Sequence, residues 1–209
     1  MKNLEKFSTL FIFAGIGCFA FAFTVLGIWP SLMLNNIQED VTEIKDVPSE
    51  FKVYYPSVNE YREALFRGKQ IYTKEACWHC HSQYIRPVGN ESPRYGLVST
   101  PGEYQNKLNL PHMFGTRRVG PDLVREAGKR TNDWHFAHLY DPKSTEPTSV
   151  MPRYTWYFDE SKNPPIPTKD GVALVAYLQS LGAWASDVKR SQYDRDEVTM
   201  PPRPEEEGE

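Results

Sequence analysis

Five consecutive residues, Cys77-Trp78-His79-Cys80-His81, place two thiols and an imidazole at a spacing that suits one kind of chemistry. Two cysteines separated by two residues, with a histidine directly after the second, form the attachment motif for c-type haem. Each thiol can add to a vinyl group on one edge of a porphyrin, and the histidine that follows can ligate the iron. The sequence therefore predicts one covalent haem c, with Cys77 and Cys80 as thioether links and His81 as proximal ligand.

A cysteine pair has three other uses: a redox-active dithiol, a structural disulfide, or half of a zinc site. A thioredoxin-like dithiol belongs beside a βαβ pattern, and the sequence shows none. A structural zinc ion needs four ligands, and the chain has no second cysteine pair, because its third cysteine, Cys18, lies in an apolar N-terminal stretch. Haem is the interpretation that the motif favours.

The other axial ligand of the iron is expected among the five methionines. Met1 starts the chain, Met33 lies in or beside the apolar stretch, and Met200 lies in a Pro-rich tail. This leaves Met113 and Met151. A thioether ligand raises the reduction potential and closes the iron to exogenous ligands. A haem ligated in this way should pass electrons rather than bind oxygen.

The apolar N-terminal stretch predicts a membrane anchor. No charged residue occurs from Phe7 to Gln38, and the 20 residues from Leu10 to Trp29 suffice, at about 1.5 Å each, to cross a hydrocarbon core of about 30 Å. A cleaved signal peptide would be shorter and would end at an Ala-x-Ala-like site, and the apolar run continues past Cys18, unlike a lipoprotein signal. Residues 1–34 are predicted as a single transmembrane anchor.

Charges on either side of the anchor predict its orientation. Lys2 and Lys6 precede the span, whereas Lys45 stands among several acidic residues beyond it. The amino terminus should therefore remain cytoplasmic and the rest of the chain should lie outside. Residues 35–56 are predicted as a stalk and a Pro-flanked linker, and Pro30 should either kink the anchor or start a second helix.

Residues 57–185 are predicted as one mainly α-helical domain with long loops. Ser57 and Glu60 form a capping box at the start of a helix that runs to the haem motif. Gly68 in that helix allows another helix to cross it closely. The chain length fits one domain plus extra segments, and the net charge of −3 gives no indication of nucleic acid binding.

The candidate for the crossing is the last helix, from about Lys169 to Leu181. Thr168 is its predicted N-cap, and Gly182 is its predicted stop. The acidic, Pro-rich tail that follows, residues 186–209, is expected to be disordered.

Two crossing helices beside this motif resemble class I cytochrome c. Gly120-Pro121-Asp122-Leu123 is similar to the Gly-Pro-x-Leu segment of that class, in which the proline carbonyl accepts a hydrogen bond from the proximal histidine. The resemblance implies that Pro121 orients His81 and raises its basicity, although Gly-Pro is also common in surface turns. It also implies Met151 as the axial ligand, with Met113 left to packing.

Four further residues have two interpretations each. His135 and His138 lie three apart on a short predicted helix and could bind a metal from one face, or they could be hydrogen-bonded structural residues. Arg86 and Arg94 are candidates for contacts to the anionic haem propionates, or they are ordinary exposed arginines.

The long segment after the haem motif carries the most particular resemblance. Together with motifs nearer the C-terminus, it closely resembles the mono-haem subunit II of cbb-type cytochrome c oxidases, the C family of haem–copper oxidases. The motifs are Ser82-Gln83-Tyr84-Ile85-Arg86-Pro87, Arg94-Tyr95-Gly96, Gly115-Thr116-Arg117-Arg118, Trp134-His135, and Ser149-Val150-Met151-Pro152.

This resemblance implies a role in aerobic respiration at the bacterial cytoplasmic (inner) membrane, with the haem domain on the periplasmic side. The chain would relay electrons from a di-haem cytochrome c subunit, or from a soluble cytochrome c, to a multi-span catalytic subunit with haem b and copper. The oxygen chemistry would belong to that partner, so no catalytic residue is expected here. The resemblance also implies a calcium ion at the subunit interface, with a backbone oxygen around Ser99 as this chain's contribution.

Two alternatives stay open from the sequence. The small cytochrome subunit of a nitric oxide reductase shares one anchor and one haem, but the Arg94-Tyr95-Gly96 and Trp134-His135 segments favour the oxidase. A haem enzyme or gas sensor with an open iron would require that Met151 not ligate.

Overall fold

The computed structural model describes residues 2–35, 44–104, 107–115 and 117–183, and there the protein is mainly helical, as predicted. The chain divides into two units, residues 1–40 and 41–209, which are described separately below. The predicted tail, residues 186–209, and residues 36–43 of the predicted stalk lie outside the described residues.

The first unit is one long apolar helical segment. Helix α1 spans Lys2–Phe23, a π-helical turn follows at Thr24–Ile28, and helix α2 spans Trp29–Asn35. The stretch Phe7–Met33, with a mean hydropathy of 2.3, is long and apolar enough to cross a membrane. It fits the predicted single-span anchor.

The π-helical turn accommodates Pro30 without ending the helix. Proline has no backbone N–H and its ring clashes with the preceding turn, so regular α-helical bonding cannot run through it. The N–H of Trp29 bonds to the carbonyl of Thr24, five residues back, and the helix continues beyond the proline. The hydroxyl of Ser31 donates to the carbonyl of Gly27 at 2.7 Å, which suits lipid, where polar groups need partners within the helix.

The second unit is a set of helices joined by long loops. Its described helices are α3 (Val58–Lys74), α4 (Glu91–Tyr95), α5 (Asn132–Tyr140), α6 (Pro142–Thr145) and α7 (Lys169–Ser180). Short 3-10 turns occupy Ser49–Phe51, Cys77–His79, Pro101–Tyr104, Lys107–Asn109 and Thr155–Tyr157. Strands β1 (Phe158–Asp159) and β2 (Ile166–Pro167) form an antiparallel pair, with Phe158 opposite Pro167.

The two predicted long helices of this unit are confirmed, together with their caps. At the start of α3, the hydroxyl of Ser57 accepts the N–H of Glu60 at 3.3 Å, and the Glu60 carboxylate accepts the N–H of Ser57 at 3.1 Å. At the start of α7, the hydroxyl of Thr168 accepts the N–H of Gly171 at 3.2 Å. Gly182, with φ +86°, takes the chain away from α7 in the left-handed conformation that glycine tolerates.

Helices α3 and α7 cross at Gly68, as the sequence predicted. A Cβ atom on Gly68 would lie 2.6 Å from Cβ of Tyr177 and would overlap the backbone carbonyl of Ala173. One turn further along α3, Tyr72 meets Tyr177 edge to face, with ring centroids 5.5 Å apart. Both rings are fully buried, so the crossing lies at the centre of the core and fixes the end of α3 that leads to the haem motif.

The core also includes the end of the stretch predicted as a linker. Val47 and Phe51 are 3% and 1% exposed, and the Phe51 ring lies 5.7 Å from the ring of Tyr61 on α3. The 3-10 turn at Ser49–Phe51 brings this ring inward. The flanking prolines suggested an extended connection, but burial of an aromatic ring stabilises a packed turn by about 2 kcal/mol.

Candidate functional site

The haem motif forms a tight turn directly after α3. Ala76, with φ +57°, takes the left-handed conformation and directs the chain out of the helix into this turn. The N–H groups of Cys80 and His81 then donate to the carbonyl of Cys77 at 3.1 and 2.8 Å. Both cysteines and the histidine therefore belong to one hydrogen-bonded turn, which is the arrangement that attachment to a single porphyrin edge needs.

The environment of Cys77 does not suit a redox-active dithiol. Burial, aided by the charge of Glu75, raises the pKa of the Cys77 thiol to about 12. Reactive dithiols need a lowered pKa, since the thiolate is the attacking form. Cys77 and Cys80 do not form a disulfide with each other in this structure.

His81 is held by the backbone around it. Its Nδ1 lies 2.9 Å from the carbonyl oxygen of Pro121, so Nδ1 carries the donated proton and the lone pair stays on Nε2, the atom available to a metal. The hydroxyl of Tyr72 donates to the carbonyl of His81 at 2.7 Å, and the N–H of Gly120 donates to the carbonyl of Cys80 at 3.0 Å. Burial lowers the pKa of His81, which favours the neutral imidazole.

Gly120 leaves the space that the His81 ring fills. A Cβ atom on Gly120 would lie 2.6 Å from Nδ1 and 2.8 Å from Nε2 of the imidazole. This cradle, the two thiols in one turn and the free Nε2 together fit a covalent haem c held by Cys77, Cys80 and His81.

The two candidate methionines occupy different positions. Met113 is 5% exposed and belongs to the hydrophobic core. Met151 is half-buried at the edge of that core, which Cys77 and Trp78 also contact, and its N–H bonds to the hydroxyl of Ser149 at 3.2 Å. The carbonyl of Met113 accepts the N–H of Gln83 at 3.1 Å, so Met113 also lies near the motif, and Met151 as the iron ligand stays a prediction.

A buried ion cluster, which the sequence did not predict, joins the two ends of the long segment that follows His81. Arg118 donates to both carboxylate oxygens of Glu91 at 2.7 Å, and its Nε donates to the hydroxyl of Ser82 at 2.9 Å. Asp122 lies 3.4 Å from the same guanidinium. The side chains of Arg118 and Glu91 are 14% and 9% exposed. We call Arg118, Glu91, Ser82 and Asp122 the Arg118 cluster.

The Arg118 cluster braces both sides of the His81–Pro121 hydrogen bond. Ser82 directly follows His81, Asp122 directly follows Pro121, and the Ser82 hydroxyl donates to the Asp122 carboxylate. The Asp122 side chain is fully buried and also accepts the N–H of Tyr84 at 3.0 Å. Hydrogen bonds from Arg118 are the main cause of the lowered pKa of Glu91, about 2, so the ion pair persists at neutral pH.

The two candidates for propionate contacts, Arg86 and Arg94, have other partners in the structure. Arg86 donates from Nε to Glu91 at 2.6 Å while its side chain stays half exposed, and Arg94 lies 4.9 Å from the ring centroid of Tyr95. Ser99, the candidate calcium contact, is buried. Within the described residues, no group of three or more His, Cys, Asp or Glu side chains could hold a metal ion. The propionate and calcium contacts stay predictions.

His135 and His138 lie on α5, which begins after the predicted cap Thr131. His138 places Nδ1 2.6 Å from the hydroxyl of Thr145. His135 is 5% exposed, and its Nε2, 3.8 Å from a carboxylate oxygen of Glu126, has no hydrogen-bond partner among the described residues. Burial lowers the pKa of His135 to about 4, so it is neutral at physiological pH. Because no group of three or more potential ligands forms among the described residues, the structural interpretation of both histidines is favoured.

One comparison with known proteins gives a match. The sequence profile of the family described as cytochrome c oxidase, mono-heme subunit/FixO matches residues 1–169. The match includes the apolar helix, the haem motif, the Arg118 cluster and Met151. No curated protein matches the chain.

Proposed function

Because the chain belongs to the mono-haem subunit family of cytochrome c oxidases, we propose that it relays single electrons to the haem b and copper subunit of a cbb-type terminal oxidase. Members of the family are electron-transfer subunits that are not catalytic by themselves. The observation that carries the proposal is the His81–Pro121 contact of 2.9 Å, which leaves Nε2 free beside two thiols of one turn.

The proposed attachment uses Cys77 and Cys80 as thioether links, with His81 and Met151 as axial ligands. When bound, the haem supplies reversible one-electron chemistry, and ligation on both sides keeps the iron from binding gases. Met151 packs against the same hydrophobic core as Cys77, which supports this over the open iron of a haem enzyme or gas sensor. The family match to an oxidase subunit supports it over a nitric oxide reductase.

The proposed location is the bacterial inner membrane, with the haem domain on the periplasmic side. The helical stretch Phe7–Met33 supports the single span, and Lys2 and Lys6 before it support a cytoplasmic amino terminus. The proposed donor is a di-haem cytochrome c subunit or a soluble cytochrome c. An interface calcium ion bound through a backbone oxygen of Ser99 belongs to the same proposal.

Purification from membranes through an affinity tag on this chain tests the proposal. The complex should contain a multi-span subunit with haem b and copper, and haem should remain on this chain after denaturing electrophoresis. Cys77→Ala with Cys80→Ala should remove that covalent haem, whereas Cys18→Ser, the matched control in the apolar helix, should retain it. Recovery of a lone chain without haem b would refute the proposed partnership.

A further inference from the structure

Trp156 presents a large apolar ring to solvent close to the haem motif. The side chain is 58% exposed. Its ring meets the buried ring of Tyr154 with centroids 5.3 Å apart at an interplanar angle of 67°. A tryptophan held in place on one side and exposed on the other is the kind of residue that dominates protein interfaces.

Tyr154 connects Trp156 to the residues that would hold the haem. Tyr154 lies in the hydrophobic core against which Cys77 packs. The neighbouring Tyr157 donates from its hydroxyl to Glu75 at 2.6 Å, two residues before Cys77. Two packed rings therefore lead from solvent towards the thioether edge. Electron tunnelling weakens steeply with distance, so a short packed route of this kind favours transfer.

The surface beside Trp156 is cationic. Trp156 lines a cavity of about 650 Å³ together with Arg67, Lys74, Lys169 and Asp170. Asp170 accepts from Arg67 at 2.8 and 2.6 Å, so one cation of the wall is already neutralised. Three basic groups against one acidic group leave the cavity wall with a net positive charge of two. Such a wall attracts acidic groups around an approaching redox centre.

We propose that Trp156 and this cationic cavity form the docking surface for a haem-carrying electron donor whose redox centre has an acidic rim. The inference rests on the proposed function, which requires a donor. One electron leaves the ferrous iron of the donor, which becomes ferric, and reduces the ferric iron of this chain; no bond forms or breaks and no proton moves. Charge complementarity steers the encounter, and Trp156 provides the central apolar contact.

The experiment measures reduction of this haem in the assembled oxidase by an acidic soluble c-type cytochrome, using stopped-flow absorption. Trp156→Ala should lower the second-order rate constant at least about 10-fold, the effect of losing a strong interface residue. Trp156→Phe, which keeps an aromatic contact, should recover most of the rate. The haem spectrum and reduction potential should not change in either variant.

The charge contribution has its own variants. Lys74→Gln with Lys169→Gln should slow the reaction at low ionic strength and converge with the unmodified protein at high ionic strength, because salt screens the steering. Two controls should react at the normal rate: Val88→Ala, which shortens another exposed apolar side chain, and Lys143→Gln, which removes an exposed cation on α6.

Two results would refute the proposal that this surface binds the electron donor. One is an unchanged rate in Trp156→Ala at low ionic strength. The other is loss of the catalytic subunit from the purified Trp156→Ala complex, which would assign this surface to a permanent subunit contact. Failure of the proposed function looks different: the unmodified protein would accept electrons from the donor at a rate sensitive to Trp156, yet would pass none to haem b.

Discussion

Replacing Gly120 by alanine tests how the backbone holds the proximal histidine. The added Cβ would overlap Cε1 of the His81 ring and lie 2.6 Å from Nδ1, so the ring must move by more than about 0.8 Å to restore ordinary contacts of 3.4 Å. The Gly120 backbone cannot easily move, because its N–H donates a hydrogen bond to the carbonyl of Cys80. Overpacking of this kind costs about 1–3 kcal/mol, and loss of the His81–Pro121 hydrogen bond costs about 1 kcal/mol more.

We therefore expect Gly120→Ala to lower the free energy of unfolding by about 2–4 kcal/mol, since both contributions apply. The reduction potential should shift, and the low-spin haem spectrum should weaken, because the added Cβ displaces the His81 imidazole that would ligate the iron. Urea unfolding, redox titration and optical spectroscopy measure the three effects.

Gly128→Ala is the matched control. Nothing lies within 4 Å of the added Cβ at Gly128, and only its φ of +72° opposes alanine, at about 1–2 kcal/mol. This variant should lose some stability and keep an unchanged haem spectrum and potential. If Gly120→Ala behaves in the same way as Gly128→Ala, the cradle around His81 does not position the ligand and the reasoning is wrong.

Three further predictions concern other parts of the haem domain. Gly68→Ala should destabilise the fold by about 3 kcal/mol or more, because α3 and α7 must separate; a normal urea midpoint would contradict the crossing. Met151→Ala should let the reduced haem bind carbon monoxide, whereas Met113→Ala should only destabilise the core; the reverse pattern would exchange their roles. The pKa of Glu91, about 2, lies below its ordinary value of 4.5, so its contribution to stability is present above about pH 4.5 and is lost as the pH falls towards 2. Urea unfolding of Glu91→Gln should show lower stability at neutral pH and a flatter dependence over that range, and an unchanged slope would argue against the ion pair.

Local sequence signals predicted the helices that flank the site. The Ser57–Glu60 capping box and the Thr168 cap act over three or four residues, so they can be read directly from the chain. Gly68 predicted the helix crossing because only glycine permits so close an approach at an apolar face. The haem motif and the Gly-Pro segment likewise depend on neighbouring residues.

The features that could not be predicted from the sequence depend on contacts between residues that are far apart in the chain. Arg118 meets Glu91 across 27 positions of irregular chain, where no periodic pattern relates the two. The only local hints were the Asp in Gly-Pro-Asp-Leu and the Arg117-Arg118 pair. Burial of Phe51 was missed because the prolines around it predicted a linker, and the apolar surface that receives its ring lies on α3.

The Arg118 cluster also bears on how the protein matures. It joins residues 82–91 to residues 118–122 by charge, a kind of link for which many small secreted domains use a disulfide. The three cysteines of the chain are Cys18 in the apolar helix and the two of the haem motif, which under the proposed attachment meet the porphyrin as thiols. A link between a guanidinium and carboxylates adds no further thiol to the domain, so under the proposed attachment no other thiol there would compete for oxidation while the haem is joined to the chain.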